Sequence, residues 1–299
     1  MGRCQQDLAI AGWSGAIALR STHYMSLVVA AIHDDDQMTI VADTKVTWRK
    51  DEGRTRKTYS EALPKIVILR PDLAVGVTGE DPHRVIEELV AIRGSEVDEV
   101  LAHLLSEPEA HCVVAALNPS RLWLTSDGSL EDRAPYRRAW AGELSAYDLF
   151  RHQEAAFPSA LGVPLQLLSS MQWLTSFNAA PTVGGYAVRA GSGPSGFSFR
   201  ADRTRVGPWI LDVALSVSDG AVTISATVPD GGDSTTHEVL IHPGTDGTLG
   251  ALGLLIPQSQ VGLLFTHERP WNPVRVAATG SDEFVESAAQ LHGQRLLSL

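Results

Sequence analysis

Two cysteines, four lysines and no long apolar run set the first limits on this chain of 299 residues. Cys4 and Cys112 stand alone, too few and too far apart for a disulfide framework or a zinc site, and such usage fits a reducing, cytoplasmic setting. No stretch reaches the ~18 apolar residues of a membrane helix, so no membrane partner is expected. Lysine is scarce: Lys45, Lys50, Lys57 and Lys65 stand against twenty arginines, so a lysine at a chemically suggestive place draws interest. The net charge of −11 argues against a nucleic-acid surface, because phosphate binding needs clustered basic side chains. Several motifs are missing as well. Neither G-x-S-x-G nor G-x-x-x-x-G-K-[ST] occurs, and none of the ten histidines falls in H-E-x-x-H spacing. Gly191 to Gly196 matches G-x-G-x-x-G but lies between two strand-like runs. It opens no helix whose N-terminus would cradle a pyrophosphate, so it reads as a hairpin turn. His111 and Cys112 are adjacent in a strand-like run and face opposite ways, a poor metal pair. The acidic run Asp34 to Asp36 reads as a solvated turn. No cofactor and no metal is expected.

What is present is strand and helix in a clear order. Ser26 to Ile32 and Met38 to Asp43 form a predicted hairpin, followed by an exposed polar loop from Trp48 to Ala62. A second apolar pair spans Lys65 to Leu69 and Leu73 to Thr78. Asp81-Pro82 opens a helix carrying Val85, Leu89 and Ile92, and a second helix, capped by Ser95, carries Val97, Leu101 and Leu104. His111 to Leu117 and Arg121 to Thr125 predict a further hairpin, after which Ser126-Asp127-Gly128 turns the chain away. Two long helices follow, Ser145 to Ala156 and Leu165 to Phe177. Beyond Pro181 strands dominate until a last helix at Ser281 to Leu291. This order predicts an α+β fold with helices packed on antiparallel sheets. No linker divides the chain. Residues 1–24 read as a leader or a mis-assigned start, 25–299 as one domain, and 205–299 as a C-terminal elaboration. Within it, Gly250 to Phe265 reads as an exposed apolar hairpin suited to self-association.

The stretch from Met25 to about residue 200 resembles proteasome-type β-subunits and their bacterial relatives. The resemblance rests on Ser26-Leu-Val-Val-Ala-Ala-Ile32, Ile40-Val-Ala-Asp43-Thr-Lys-Val-Thr47, Lys65-Ile-Val-Ile-Leu69 and Val75-Gly-Val-Thr-Gly79 in the family's order. Trp140-Ala-Gly-Glu143 and Pro181-Thr-Val-Gly-Gly185 extend it. It implies a four-layer αββα sandwich, assembly into rings or stacks, and N-terminal-nucleophile (Ntn) hydrolysis of a peptide or other amide. The implied site is Ser26 as nucleophile, Lys65 beside it, Asp43 fixing Lys65, and Gly79 at the oxyanion turn. The chemistry is self-contained. The α-amine of an N-terminal Ser, with a pKa near ~8, serves as base for its own hydroxyl, and a neighbouring lysine keeps that amine from holding its proton.

Two departures stand out. Asp43 lies one residue further from Ser26 than the family interval, which a longer Asp34–Asp36 turn absorbs. Ser26 is also internal, preceded by Tyr24-Met25, and so lacks a free amine. Translation from Met25 followed by Met removal would expose it, and so would autocatalytic removal of the leader. The alternative is a catalytically inactive, proteasome-like scaffold in which Asp43 caps a strand end, Lys65 is a structural ion-pair partner and Gly79 makes a turn.

Overall fold

The computed structural model describes residues 26–45, 62–177, 179–180, 182–206, 212–218, 221–227, 237–245 and 247–299. The expected leader and most of the polar loop after Trp48 lie outside them. In chain order the strands and helices begin with β1 (Leu27–Ile32), β2 (Met38–Asp43), β3 (Ile66–Arg70) and β4 (Leu73–Gly79). Next come α1 (Pro82–Ala91), α2 (Val97–Leu105), β5 (Ala110–Ala116), β6 (Arg121–Ser126), β7 (Ser129–Asp132) and β8 (Arg138–Gly142). Then follow α3 (Leu144–Ala156), α4 (Gly162–Ser176), β9 (Ala187–Gly193), β10 (Gly196–Phe199), β11 (Asp202–Val206), β12 (Asp212–Ser218) and β13 (Ala221–Thr227). The chain closes with β14 (His237–Pro243), β15 (Leu252–Ile256), β16 (Val261–Thr266), β17 (Arg269–Ala277) and α5 (Ser281–His292).

The fold is α+β, with three five-stranded antiparallel sheets among the described residues. They run β10-β9-β2-β1-β8, β3-β4-β5-β6-β7 and β11-β14-β15-β16-β17, with β12 and β13 pairing only with each other in a separate ribbon. The first two sheets pack face to face. Their strands β1, β3 and β4 are largely apolar because both faces are covered, and the period of two sorts the side chains between layers. In β1, Val28, Ala30 and Ile32 enter the core between the sheets, joined by Ile66, Ala74 and Val113 from the second sheet. Leu27, Val29 and Ala31 meet Phe150 of α3 and Leu167, Met171 and Leu174 of α4 on the other side. The second sheet mirrors this, with Leu73, Val75, Val77 and Cys112 packing on Val85, Ile86 and Leu89 of α1 and on Leu101 and Leu104 of α2.

Local chemistry sets the element ends. The Asp81 carboxylate caps α1 by accepting from the Arg84 N–H at 3.2 Å, with Pro82 in the first turn. The second cap differs from expectation: Glu96, extended at φ −67° and ψ 160°, precedes α2. Ser95 belongs to the turn that closes α1, its N–H bound to the Ile92 carbonyl and its own carbonyl to Arg70. Asp127-Gly128 does not lead the chain away. Both residues have positive φ (51° and 69°), the signature of a two-residue hairpin loop, and Ser129 pairs directly with Ser126 to start β7. The glycine-rich run at Gly191 to Gly196 does close a hairpin, β9 to β10.

The third sheet corrects a further expectation. The Gly250-to-Phe265 hairpin is not an exposed surface, since Leu252, Leu254, Ile256, Leu263 and Phe265 are buried in one continuous core with residues of the first two sheets. On the opposite face, Leu240, Leu255 and Leu264 lie under Phe284 and Ala288 of α5. Phe284 fits a notch made by two glycines on adjacent strands, where a Cβ on Gly253 or Gly262 would come within 2.5 and 2.2 Å of its ring. No helix among the described residues is long and apolar enough to cross a membrane.

Candidate active site

β1 is an inner strand of its sheet, with β2 on one side and the edge strand β8 on the other, in registers Val28↔Ala42 and Leu27↔Gly142. Ser26 stands immediately before β1, beyond both register pairs, where the ends of three strands and the segment entering β9 converge. The turn between β1 and β2 is a single helical turn at Asp34–Asp36, closed by Asp36 at φ 59°. Asp43 ends β2 beside Leu27.

Asp43 is the hub. Its Oδ1 accepts the Leu27 N–H at 3.0 Å, and its Oδ2 accepts the Lys65 Nζ at 2.8 Å, the Lys45 N–H at 3.2 Å and the Gly184 N–H at 3.3 Å. Four donors fill the acceptor capacity of one carboxylate, which is how a fully buried acid is kept satisfied. Lys65, 1 % exposed, immediately precedes β3 and is held there by its backbone: its carbonyl accepts the Val77 N–H at 2.7 Å. Burial pushes the Lys65 ammonium below the usual lysine value. The Asp43 carboxylate opposes that shift by charge and hydrogen bond, while the Lys45 charge adds to it. Lys45 is lowered too, first by burial and against the pull of Asp43. Its stem lies on Gly184, where a Cβ would come 3.0 Å from the Lys45 Cδ.

On the far side of Ser26, the Glu143 N–H donates to the Ser26 carbonyl at 3.1 Å. Gly142 makes this approach possible. Its φ is 124°, and a Cβ there would lie 2.1 Å from the Ser26 oxygen. The Glu143 carboxylate accepts the hydroxyls of Ser145 and Thr182. Thr182 opens the short run that places Gly184 on Asp43, and the Tyr186 N–H then donates to the Thr44 hydroxyl at 2.8 Å.

The structure therefore brings Ser26, Asp43 and Lys65 together, residues 17 and 39 positions apart along the chain, at the ends of three strands. Gly79 ends β4, two residues beyond Val77, with φ 127°; a Cβ there would lie 2.3 Å from the Glu109 carbonyl oxygen. The contacts that place it are those of its own sheet, with Ala110 as its strand partner. Sequence reasoning assigned no role to Lys45, Glu143 or Gly184. Lys45 carried a signal, being one of only four lysines and two residues after Asp43. Among the described residues no cluster of three or more His, Cys, Asp or Glu side chains is arranged to hold a metal ion. No protein-family model matches this chain, and no curated protein matches it either.

Proposed function

We propose that the chain is a proteasome-like Ntn hydrolase that cleaves peptide or other amide bonds with Ser26 once its α-amine is exposed. One observation carries the reading: a buried carboxylate, Asp43, binds the N–H of the residue after Ser26 and a fully buried lysine ammonium at once. Burying such a pair costs several kcal/mol of desolvation, so its position at the mouth of β1 calls for a reason beyond stability. The two face-to-face antiparallel sheets with a helix pair on each outer face are also those of a four-layer αββα sandwich, which supports the same reading. In the proposed cycle the free Ser26 amine takes the hydroxyl proton, the oxygen attacks the substrate carbonyl, and the amine returns the proton to the leaving nitrogen; the same amine then deprotonates a water that attacks the Ser26 ester, releasing the acid and restoring the hydroxyl. Lys65 supplies positive charge that favours the unprotonated amine, Asp43 fixes Lys65, and the Gly79 N–H stabilises the oxyanion. The proposed setting is the cytoplasm, with self-association of copies.

The test uses the full chain carrying a site-specific protease recognition sequence that ends at position 25, cut after folding so that Ser26 becomes the N-terminus. Hydrolysis across a panel of peptide and amide substrates is expected after cutting and absent before it. Ser26→Ala is expected to abolish it and Lys65→Met to reduce it nearly as far. Full activity of the uncut chain, or wild-type activity in Ser26→Ala, overturns the mechanism.

One observation favours a second reading, that of a non-catalytic scaffold. Ser26 is 3 % exposed and its nitrogen is an amide to Met25, so neither base nor nucleophile is presented. A folded, cut chain that hydrolyses nothing supports that reading.

A further inference from the structure

Ser26 and its successor are held by two acidic residues, Glu143 through its backbone N–H on the Ser26 carbonyl and Asp43 through its carboxylate on the Leu27 N–H, and their carboxylates differ in what they have left to offer. Asp43, toward β2, already accepts four donors. Glu143, toward β8, accepts two hydroxyls among the described residues, those of Ser145 and Thr182, and a carboxylate has room for about four donors. The backbone links the two. Glu143 N–H holds the Ser26 carbonyl, Thr182 holds the Glu143 carboxylate, Gly184 N–H holds Asp43, and Asp43 holds the Leu27 N–H. This run of hydrogen bonds grips the peptide between Ser26 and Leu27 from both sides and fixes the residue that carries the Glu143 carboxylate one hydrogen bond away from Ser26.

We infer that Glu143 is a positioning residue that binds the α-ammonium of Ser26 in the cut chain and sets that group's proton affinity. The inference rests on the proposal above that Ser26 acts through its own amine. A carboxylate with spare acceptor capacity stabilises the protonated amine, aims its nitrogen at one place beside the hydroxyl, and makes it the stronger base when it is free. Lys65 and Glu143 then act in opposite senses on one group. The lysine drives the proton off and the glutamate holds it, so the pH at which the amine becomes free is a balance of the two.

The amine titration tests this without requiring turnover. In the cut full chain, the rate of acetylation of the Ser26 α-amine by isotope-coded acetic anhydride is followed from pH 5 to 10, with peptide mapping to separate it from the lysines. Glu143→Gln is expected to raise labelling at pH 7 by about tenfold, the effect of losing one close opposite charge. Glu143→Asp is expected to restore part of the wild-type curve, and Thr182→Val, which loosens the carboxylate, to move it part of the way toward Glu143→Gln. Coincident curves for wild type and Glu143→Gln overturn the inference, as does a loss of hydrolysis in Glu143→Gln with the amine titration unmoved, which marks a structural role only. A shifted titration in a chain that hydrolyses nothing keeps this inference and sinks the hydrolase reading. Hydrolysis with an unshifted titration does the reverse.

Discussion

Lys65 and Asp43 are each buried almost completely, and each is made tolerable by the other. Removing one partner leaves an unpaired charge in the core, so Lys65→Met or Asp43→Asn alone is expected to cost ~3–5 kcal/mol in urea unfolding. The double substitution is expected to cost clearly less than the sum of the two. Additive losses in that cycle would show that the 2.8 Å contact carries no coupling. Cys112 gives a second residue-scale expectation. Full burial in β5 pushes its thiol up to about 12, so no useful fraction of thiolate exists in the folded chain. In a Cys4→Ser background, Cys112 is expected to stay unmodified by a thiol reagent at pH 8 and to react at the unfolding rate. Fast labelling of the native protein would contradict its place in the core.

At the level of elements, close approaches are where substitution bites hardest. Gly142 combines a φ of 124° with a Cβ position 2.1 Å from the Ser26 carbonyl oxygen, and Gly142→Ala is expected to cost more than about 2 kcal/mol. It should also separate Glu143 from Ser26. A Gly142→Ala chain as stable as wild type would mean that β8 can retreat from β1. Phe284→Ala should cost ~3–5 kcal/mol by emptying the notch over Gly253 and Gly262, measured by the same unfolding titration. The elements themselves were largely legible from sequence. β1 and β2 show as short, mostly apolar runs with β-branched residues at their centres, and Asp81-Pro82 marks α1. The missed hairpin at Asp127-Gly128 carried the strongest short hairpin signal there is, overridden because β7 is short, polar and exposed. The Gly250-to-Phe265 run was misjudged for the opposite reason. Apolar content says that a strand is covered but not by what, and its cover comes from strands some 200 residues earlier in the chain. The Asp43–Lys65 pairing was read from the order of motifs. Glu143 and Gly184 were not, because one acts through its backbone N–H as well as its side chain and the other only through its backbone, and neither leaves a residue-type signature.

The molecule as a whole is expected to lose stability in mild acid. Burial is the leading cause that lowers His33, His83, His111 and His242 below the ordinary value of 6.5. Below that value the unfolded chain takes up protons that the folded chain does not. Stability is therefore complete above 6.5 and falls as pH drops toward the depressed folded values. The urea midpoint is expected to be lower at pH 5.5 than at 7.5. A midpoint that holds steady or rises would show these histidines to be hydrated in the native state. His242 should contribute through the chain terminus, since its Nδ1–H bonds the Leu297 carbonyl at 2.9 Å beneath α5. The central core also has a consequence for how the protein is made. That core takes side chains from Val28 to Phe265, so it is not complete until β16 has left the ribosome. At ~5–20 residues per second, the 66 residues from Phe199 to Phe265 take about 3–13 s to appear. For that interval the nascent chain lacks the side chains with which β15 and β16 complete the core, and it is then that a chaperone has something to hold.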